Sequence, residues 1–483
     1  MKYTAITIGP IINSLSLAHR TKELWAASYF FAYLMGKIIE HIDSNKIILP
    51  HKSNNSLNVK SAGIFPDRLI LETNGINVKS AIDNAVKETA AKFNVNENDI
   101  LKHIYIRTIN FDFKKRNNIK DDNIIFQAND FLAITELQAN YVTVDNEVFL
   151  KMLQNIDKAP IYKDDIFKNQ KHFPSIIEIA TKKSLNLNDS FFNNNDEDDD
   201  IWDKLKEKKK EQLKLHHKYI AIVQADGDNI GKIIKKVAAN NDTNQIKQFS
   251  IALSDFATAA ANKIDEFGGI PVYVGGDDLL FFAPVHNGQQ SIINLILDLD
   301  VIFNDKLIEN ENLNTFIKDI DPKPSMSYGI SISYYKYPMH EALTQARTLL
   351  FDNAKQEPKN AIAFKVLKHS GQFFETVLHK PLEKKAIDLL NSNGLAIHSL
   401  IYNFERHKSI LKSIINNKGL MTNFFDNIYN EQEHKNKETK ELIDNVKDML
   451  TNSYQKTKDF DKTIKQIYAL LRYVKFINTK YDE

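Results

Sequence analysis

The sequence predicts an α/β (α+β) protein with two ferredoxin-like palm domains, a helical insert between them and a helical C-terminal domain. Three observations predict it. Short β-rich runs alternate with long amphipathic helices, first over residues 1–130 and again over 218–370. Two apolar runs, Pro271–Val274 and Leu279–Phe282, are separated only by Gly275-Gly276-Asp277-Asp278, the spacing of a hairpin. Beyond residue 371 the apolar spacing is helical and strand signals are few. The four segments expected are therefore a degenerate first palm (1–130), a mostly helical domain with a charged linker (131–217), a second palm (218–370) and a helical end (371–483).

Each element follows from its own residues. Tyr3–Ile8 is β-rich and closed by Gly9-Pro10; from about Ser14 to Ile42 the apolar residues recur at helical spacing through Leu24, Phe31, Leu34 and Ile38. Ile47–Pro50 and Arg68–Leu71 are strand candidates, 76–93 a second helix and 104–109 another strand. Residues 130–180 read as mostly helical. The sharpest break in composition follows, where Asn193–Asn195 runs into the acids at 196–200 and then into Lys204, Lys206 and Lys208–Lys210. Such neighbouring blocks of opposite sign screen each other, and a linker with an exposed charged helix is expected there.

The second unit opens on Tyr219–Gln224, a continuous apolar strand of the kind covered by a packed layer. Helices are expected from about Ile230, over 246–267 up to Gly268-Gly269, and over 288–309. Ser325–Tyr334 alternates as a strand, Met339–Lys355 reads as a helix and Asn360–Leu367 as the closing strand. The two units look like distant copies of one pattern.

Composition bounds the function. The 483 residues carry 63 Lys+Arg against 62 Asp+Glu, a net charge of +1, with 43% hydrophobic residues and no cysteine. A chain this long and apolar buries real cores. Without cysteine it has no disulfide, no thiol nucleophile and no Cys-ligated zinc. No run reaches the ~18 apolar residues of a membrane span and no signal peptide opens the chain, so a cytoplasmic protein is expected. Near-neutrality argues against a free nucleic-acid binder, while leaving room for local basic patches.

The chemistry concentrates in one constellation. Asp226 ends a core strand, and Asp277 and Asp278 sit in the hairpin turn. If the strands are neighbours, the three carboxylates converge at one edge. Hard cations such as Mg²⁺ or Mn²⁺ prefer such oxygens, and two ions can clamp the attacking and leaving oxygens of a phosphoryl transfer. Gly275 and Gly276 let a nucleotide approach the backbone. Gly-Gly-Asp-Asp is also ordinary turn chemistry; it is its combination with Asp226 that points to a site. Gly227, Asp228, Asn229 and Gly231 open a helix whose free amides can hold phosphate oxygens. Lys355 and Lys359 can neutralise a triphosphate, although Lys355 also suits a helix C-terminus on dipole grounds alone.

These residues resemble the large palm subunit of type III CRISPR effector complexes, specifically the type III-B (Cmr) form. The resemblance rests on Ala225-Asp226-Gly227-Asp228-Asn229-Ile230-Gly231 with Gly275-Gly276-Asp277-Asp278, and on Ser327-Tyr328-Gly329-Ile330 and Ala354-Lys355 with Lys359-Asn360 downstream. Ile8-Gly9-Pro10, Arg20–Tyr29, Gly63–Arg68 and Phe173-Pro174-Ser175 add to it near the N-terminus. The tetrad is shared with diguanylate cyclases; the Arg20–Trp25 segment separates the two families.

The resemblance implies an RNA-activated nucleotidyltransferase making cyclic oligoadenylate from ATP. Asp226, Asp277 and Asp278 would be its metal ligands, and Arg20, Ser28 and Arg68 would be first-palm contacts to a second nucleotide. It implies other Cmr-type subunits, guide RNA and target RNA as partners. Some members join AMP to S-adenosylmethionine instead. Many carry an N-terminal His-Asp nuclease domain and a cysteine-ligated zinc; this sequence has no His-Asp dipeptide and no cysteine, so DNA cleavage and zinc are not expected. His216-His217 reads as exposed polar sequence. A non-catalytic scaffold and a diguanylate cyclase are the competing readings.

Overall fold

The computed structural model describes residues 2–18, 20–51, 63, 65–117, 119, 122–138, 173–192, 197–382, 384–392, 397–428 and 437–481. The 139–172 part of the stretch read as helical, residues 193–196 of the composition break and Ile64 lie outside them.

Two sheets carry the fold. The first has β1 (Lys2–Gly9), β2 (Ile47–Leu49), β3 (Arg68–Glu72) and β4 (Tyr105–Asp112) in the order β2-β3-β1-β4, all antiparallel. The second has β5 (Tyr219–Asp228), β6 (Ile270–Gly275), β7 (Asp278–Pro284), β8 (Ser325–Tyr334), β9 (Ala361–Leu367) and β10 (Phe373–His379) in the order β10-β9-β8-β5-β7-β6. Its β6-β7-β5-β8 part repeats the order of the first sheet, so both units have the ferredoxin-like arrangement. β9 runs parallel to β8, a pairing that needs a crossover; the Met339–Thr348 helix supplies it.

The continuous apolar run of β5 has a simple cause: both its faces are covered. Tyr219, Ala221, Val223 and Ala225 pack into one core with the Thr243–Phe267 and Ile292–Phe303 helices and the C-terminal helices. Ile220 and Ile222 face a second core. That second core also contains Ile6 and Ile8 of β1 and the apolar faces of the first unit's Thr21–Glu40 and Val78–Phe93 helices, so the two palms share it. Trp25, fully buried, stacks on Tyr29 at 4.9 Å and meets Phe173 at 5.7 Å; truncating such a side chain costs about 3–5 kcal/mol. A direct backbone link adds to the shared core. Gly63, between β2 and β3, bridges the free edge of β6, donating to Val272 O at 3.2 Å and accepting from Val274 N at 2.9 Å.

The β6–β7 connection is a two-residue hairpin: Gly275 pairs with Asp278, and Gly276 takes φ +70, a left-handed value that suits glycine.

Several expectations change. The helix read from about 14 to 42 is two helices, Ile11–Ser16 and Thr21–Glu40. β5 runs four residues past Gln224, because Gln224–Asp228 continue to pair with Gly329–Ser325 of β8. The helix read to Lys355 gives way at Leu349 to a wider π-turn ending at Ala354. The segment read as helical from 371 begins with a strand, β10, whose Phe374, Thr376 and Leu378 point inward in alternation. The charged stretch is more than a solvated linker. Asp198–Lys209 is a helix with acids in its first turn and lysines in its last, complementing the dipole, and it buries Ile201, Trp202 and Leu205. His216 and His217, read as exposed, are both buried at 2% exposure. His216 Nδ1 lies 3.0 Å from Ile477 O, and His217 Nε2 lies 2.8 Å from Ser184 Oγ.

Candidate functional site

The register of the second sheet builds the site. Ala225 of β5 pairs with Leu279 of β7, and one step further along stand Asp226 and Asp278. Asp277 occupies the turn above them. It lies across β5 because residue 227 is glycine: a Cβ there would stand 2.7 Å from Asp277 Oδ2 and 2.5 Å from Ile230 Cγ1.

Among the described residues one cation touches this cluster. Lys355, delivered by the turn before β9, bonds its Nζ to Asp226 Oδ2 and to Gly227 O at 3.1 Å. It also stands 3.9 Å from Asp228 Oδ1. Burial among protein walls, then the charge of Asp226, push the Asp277 carboxyl up to about 6. Asp278 reaches solvent at its tip, yet the surrounding cleft desolvates it. With repulsion from Asp277 and Asp226 added, its carboxyl is pushed up to about 8. The three carboxylates thus carry more negative charge than one lysine relieves. Among the described residues no group of three or more His, Asp or Glu side chains is arranged to hold a metal by itself.

Asp228 has a different place. Its side chain is buried, and Oδ2 accepts from Ser327 Oγ at 2.7 Å, Ser325 Oγ at 3.0 Å and Asn360 N at 3.1 Å. These bonds fasten the end of β5 to β8 and to the start of β9. Through Oδ2 the carboxylate positions the strand ends, while Oδ1, buried without a hydrogen-bond partner, lies 3.9 Å from Lys355 Nζ. Asn229 turns the chain with φ +62, and the Ile230–Val237 helix begins beside it. Gly231 has open space where a side chain would be, so the backbone is approachable there.

Next to the carboxylates lies a cleft of about 240 Å³ between the two palms. Gly275, Gly276, Asp277 and Asp278 form its rim. Phe249, Leu253 and Ala257 of the Thr243–Phe267 helix form one wall, and His51, Phe65 and Asp67 of the first palm form another.

The structure thus brings together Asp226, Gly227, Gly275, Gly276, Asp277, Asp278 and Lys355. It does not bring in the other expected contacts. Arg20 sits at the exposed N-terminus of its helix, its backbone N–H donating to Glu23. Ser28 is buried at 3% exposure under Gly63, since it lies on the inward face of that helix. Arg68 donates to Asn129 Oδ1 at 3.0 Å and lies 4.0 Å from Asp67. Lys359 lies 3.6 Å from Glu357. None of these four lines the cleft. The first-palm wall falls at Phe65-Pro66-Asp67, inside a segment singled out for its motif but one residue short of Arg68. The helix wall has a readable signal: small residues Ser250, Ser254, Ala257 and Thr258 recur at helical spacing and leave a concave stripe.

Comparison with known proteins fits this layout. Residues 219–363 match the family described as Cas10/Cmr2, second palm domain, and residues 3–96 match the CRISPR-associated protein Cmr2, N-terminal family. The CRISPR system Cmr subunit Cmr2 of Pyrococcus furiosus is 27% identical over 218 residues, 40% of this chain. The match spans 22% of that relative's length. Among solved structures, a chain of the type III-B Cmr-beta complex bound to cognate target RNA aligns with TM-score 0.56 at 11% identity, over 88% of this chain and 78% of that one. A chain of the Csm1–Csm4 cassette in complex with cA4 aligns with TM-score 0.55 at 10% identity, over 99% and 70%.

Proposed function

We propose, on the premise that the chain combines a Cmr2 N-terminal domain with a Cas10/Cmr2 second palm, that it is the nucleotidyltransferase subunit of a type III-B CRISPR effector complex. The reaction proposed is attack of the 3′-hydroxyl of one ATP on the α-phosphate of another, releasing pyrophosphate and building a cyclic oligoadenylate. The observation that carries it is the convergence of Asp226, Asp277 and Asp278 with Lys355, beside a cleft between the palms that Asp277 and Asp278 line.

The donor set fits divalent ions. The potential ligands at the point of convergence are oxygens, with Lys355 the cation already in contact, and the raised carboxyls mark a site short of positive charge. Mg²⁺ typically takes one or two carboxylates and completes its shell with phosphate and water, in keeping with carboxylates that form no cage of their own. Asp226 and Asp277 would hold Mg²⁺ or Mn²⁺, with Asp278 the third acidic partner. Bound there, the ions would neutralise phosphate charge and favour ionisation of the attacking hydroxyl.

The chain's own residues do the rest. Lys355 holds the Asp226 carboxylate until substrate arrives, and its ammonium is then the nearest protein charge for a triphosphate. Asp228 keeps the strand ends in register through Ser325, Ser327 and Asn360. The amides at 229–231 open towards a phosphate at the helix start. The apolar helix wall suits a flat base; at about 240 Å³ the cleft takes that part and leaves the triphosphate along the carboxylates.

The fold relatives solved with target RNA and with cA4 support this reading, and by the same analogy the partners are other Cmr subunits, guide RNA and target RNA in the cytoplasm. No helix among the described residues is long and apolar enough to cross a membrane. The test is the assembled complex given target RNA, Mg²⁺ and ATP, with and without S-adenosylmethionine, and with GTP in place of ATP. Adenylate rings are expected, and the Asp277→Ala, Asp278→Ala double variant is expected to make none. An AMP conjugate of S-adenosylmethionine would change the acceptor and keep the site. A preference for GTP would favour a diguanylate cyclase. Turnover undiminished in the double variant would overturn the site, and no turnover by the wild type would leave a scaffold.

A further inference from the structure

On the far side of the second sheet, the β9–β10 turn and the C-terminal helix Phe460–Asn478 enclose a groove of about 750 Å³. Its charges are one-sided. Lys368, Arg472, Lys475 and Lys480 line it against a single acid, Glu405, and Glu405 already accepts from Tyr468 OH. Among the described residues none of the four cations is in an ion pair. Lys368 titrates below the ordinary lysine range, first because it is desolvated and then because Arg472 and Lys475 stand beside it. Crowding like charges in a concavity is unfavourable unless an anion joins them.

The groove also presents rings. Phe373, at 51% exposure, is among the most exposed large apolar side chains of the protein. Arg472 lies 5.6 Å over Tyr468. Tyr468, Arg472, Lys475 and Thr479 fall at i, i+4, i+7 and i+11, one stripe along a helix face and roughly 16 Å long. Cations set beside accessible rings, here the exposed Phe373 and the half-buried Tyr468, are how proteins track a single-stranded nucleic acid, the charges following the backbone and the rings taking bases. A compact phosphate would need one focus of charge, and an acidic peptide would leave the rings unused.

We propose that this groove binds a single-stranded nucleic-acid segment, apart from the carboxylate site and independent of its chemistry. The test is fluorescence anisotropy with the full chain and labelled RNA and DNA strands of about ten nucleotides, at about 0.05 and 0.2 M salt. Inorganic tripolyphosphate and poly-glutamate serve as competitors. Saturable binding is expected, with RNA and DNA compared to show which strand is preferred. The Arg472→Glu, Lys475→Glu double variant should weaken it about tenfold and flatten the salt dependence by about 1.4, at about 0.7 per lost phosphate contact. Because Arg472 also packs on Phe374, the exposed Lys480→Glu and the single Lys475→Glu variants guard against misfolding and should each weaken binding severalfold. Asp277→Ala should leave it unchanged. The proposal is overturned if neither strand binds, if the groove variants bind as the wild type does, or if poly-glutamate displaces the strand at equal charge concentration.

Discussion

The two palms share one strand order and differ in what stands at the ends of their strands. In the second, β5 carries Asp226 near its end and β7 is entered through Asp277 and Asp278. In the first, β1 ends on Ile8 and Gly9, and β3 is entered through Asp67, whose carbonyl accepts from Ile8 N at 3.0 Å. One lone carboxylate thus occupies the place where the second palm has a cluster, and its neighbours Phe65 and Pro66 make it part of a wall. On the proposed reading, the same scaffold supplies a reactive edge once and a binding surface once. The difference teaches that chemistry here depends on a few residues at strand ends, while the strands themselves are set by burial on both faces.

The sharpest test is to remove carboxylates from each palm in turn. Asp277→Ala with Asp278→Ala should lower ATP turnover by at least ~100-fold. Asp67→Asn, at the matching position, should cost less than about 10-fold and act mainly on the KM for ATP. Equal losses would break the distinction between edge and wall.

The glycines at the two strand ends offer a second comparison. Gly227→Ala drives a methyl into Asp277 and Ile230, which sit close against it. We expect about 1–3 kcal/mol of destabilisation, read as a shift in the denaturant midpoint, and a loss of turnover of roughly tenfold as Asp277 is displaced. Gly9→Ala meets the outer end of the Tyr105 ring instead. That ring can swing away, so turnover should be unchanged.

A smaller effect is expected at Lys355, which has no counterpart among the described residues of the first palm. Lys355→Met removes the cation that touches the carboxylates. In chelator the variant should melt below the wild type at pH 8, and Mg²⁺ should raise its Tm by more than it raises the wild type's. Identical Mg²⁺-induced shifts would show that lysine and metal do not compete for Asp226.

The smallest effect is a pH dependence centred on the second palm. Asp278 and Asp277 hold protons more tightly folded than unfolded, at about 8 and about 6. The cost of their charges is therefore full above those values and declines as pH falls from them towards ~4, the ordinary value of an unfolded aspartate. His217, buried with His216, and His286, half-buried beside them, hold protons less tightly, with carboxylate-like values of about 3 and about 4. Desolvation is the main cause for each. Stability is therefore lost as pH drops below about 6.5, by about 1.4 kcal/mol per pH unit and proton. In chelator, urea midpoints should peak slightly below neutral pH; excess Mg²⁺ should remove the alkaline slope and leave the acid one. Hydrogen exchange should show the acid loss in β5 and β7 before β1 and β3.

Much of this was legible in the sequence because it is local. β8 is predicted residue for residue, and the hairpin follows from two glycines between two apolar runs. The carboxylate cluster follows once those strands are neighbours. What was not legible depends on distant partners. β10 is visible only against β9, and the Lys380 that follows it enters a buried pair with Asp300 at 2.5 Å, 80 residues away in sequence. His216 and His217 look polar until the C-terminal helix covers them. Arg20, Ser28 and Arg68 sit in segments of the right pattern, but helix phase and strand pairing turn their side chains elsewhere, leaving Phe65 and Asp67 to face the cleft.

The bridge from Gly63 to β6 has a mechanical consequence. It grips the strand at Val272 and Val274, and the very next residue, Gly275, begins the turn that carries Asp277 and Asp278. A displacement of Gly63 therefore reaches the Gly275–Asp278 turn through two hydrogen bonds and one peptide unit. Whatever moves Gly63 holds a short lever on the carboxylates.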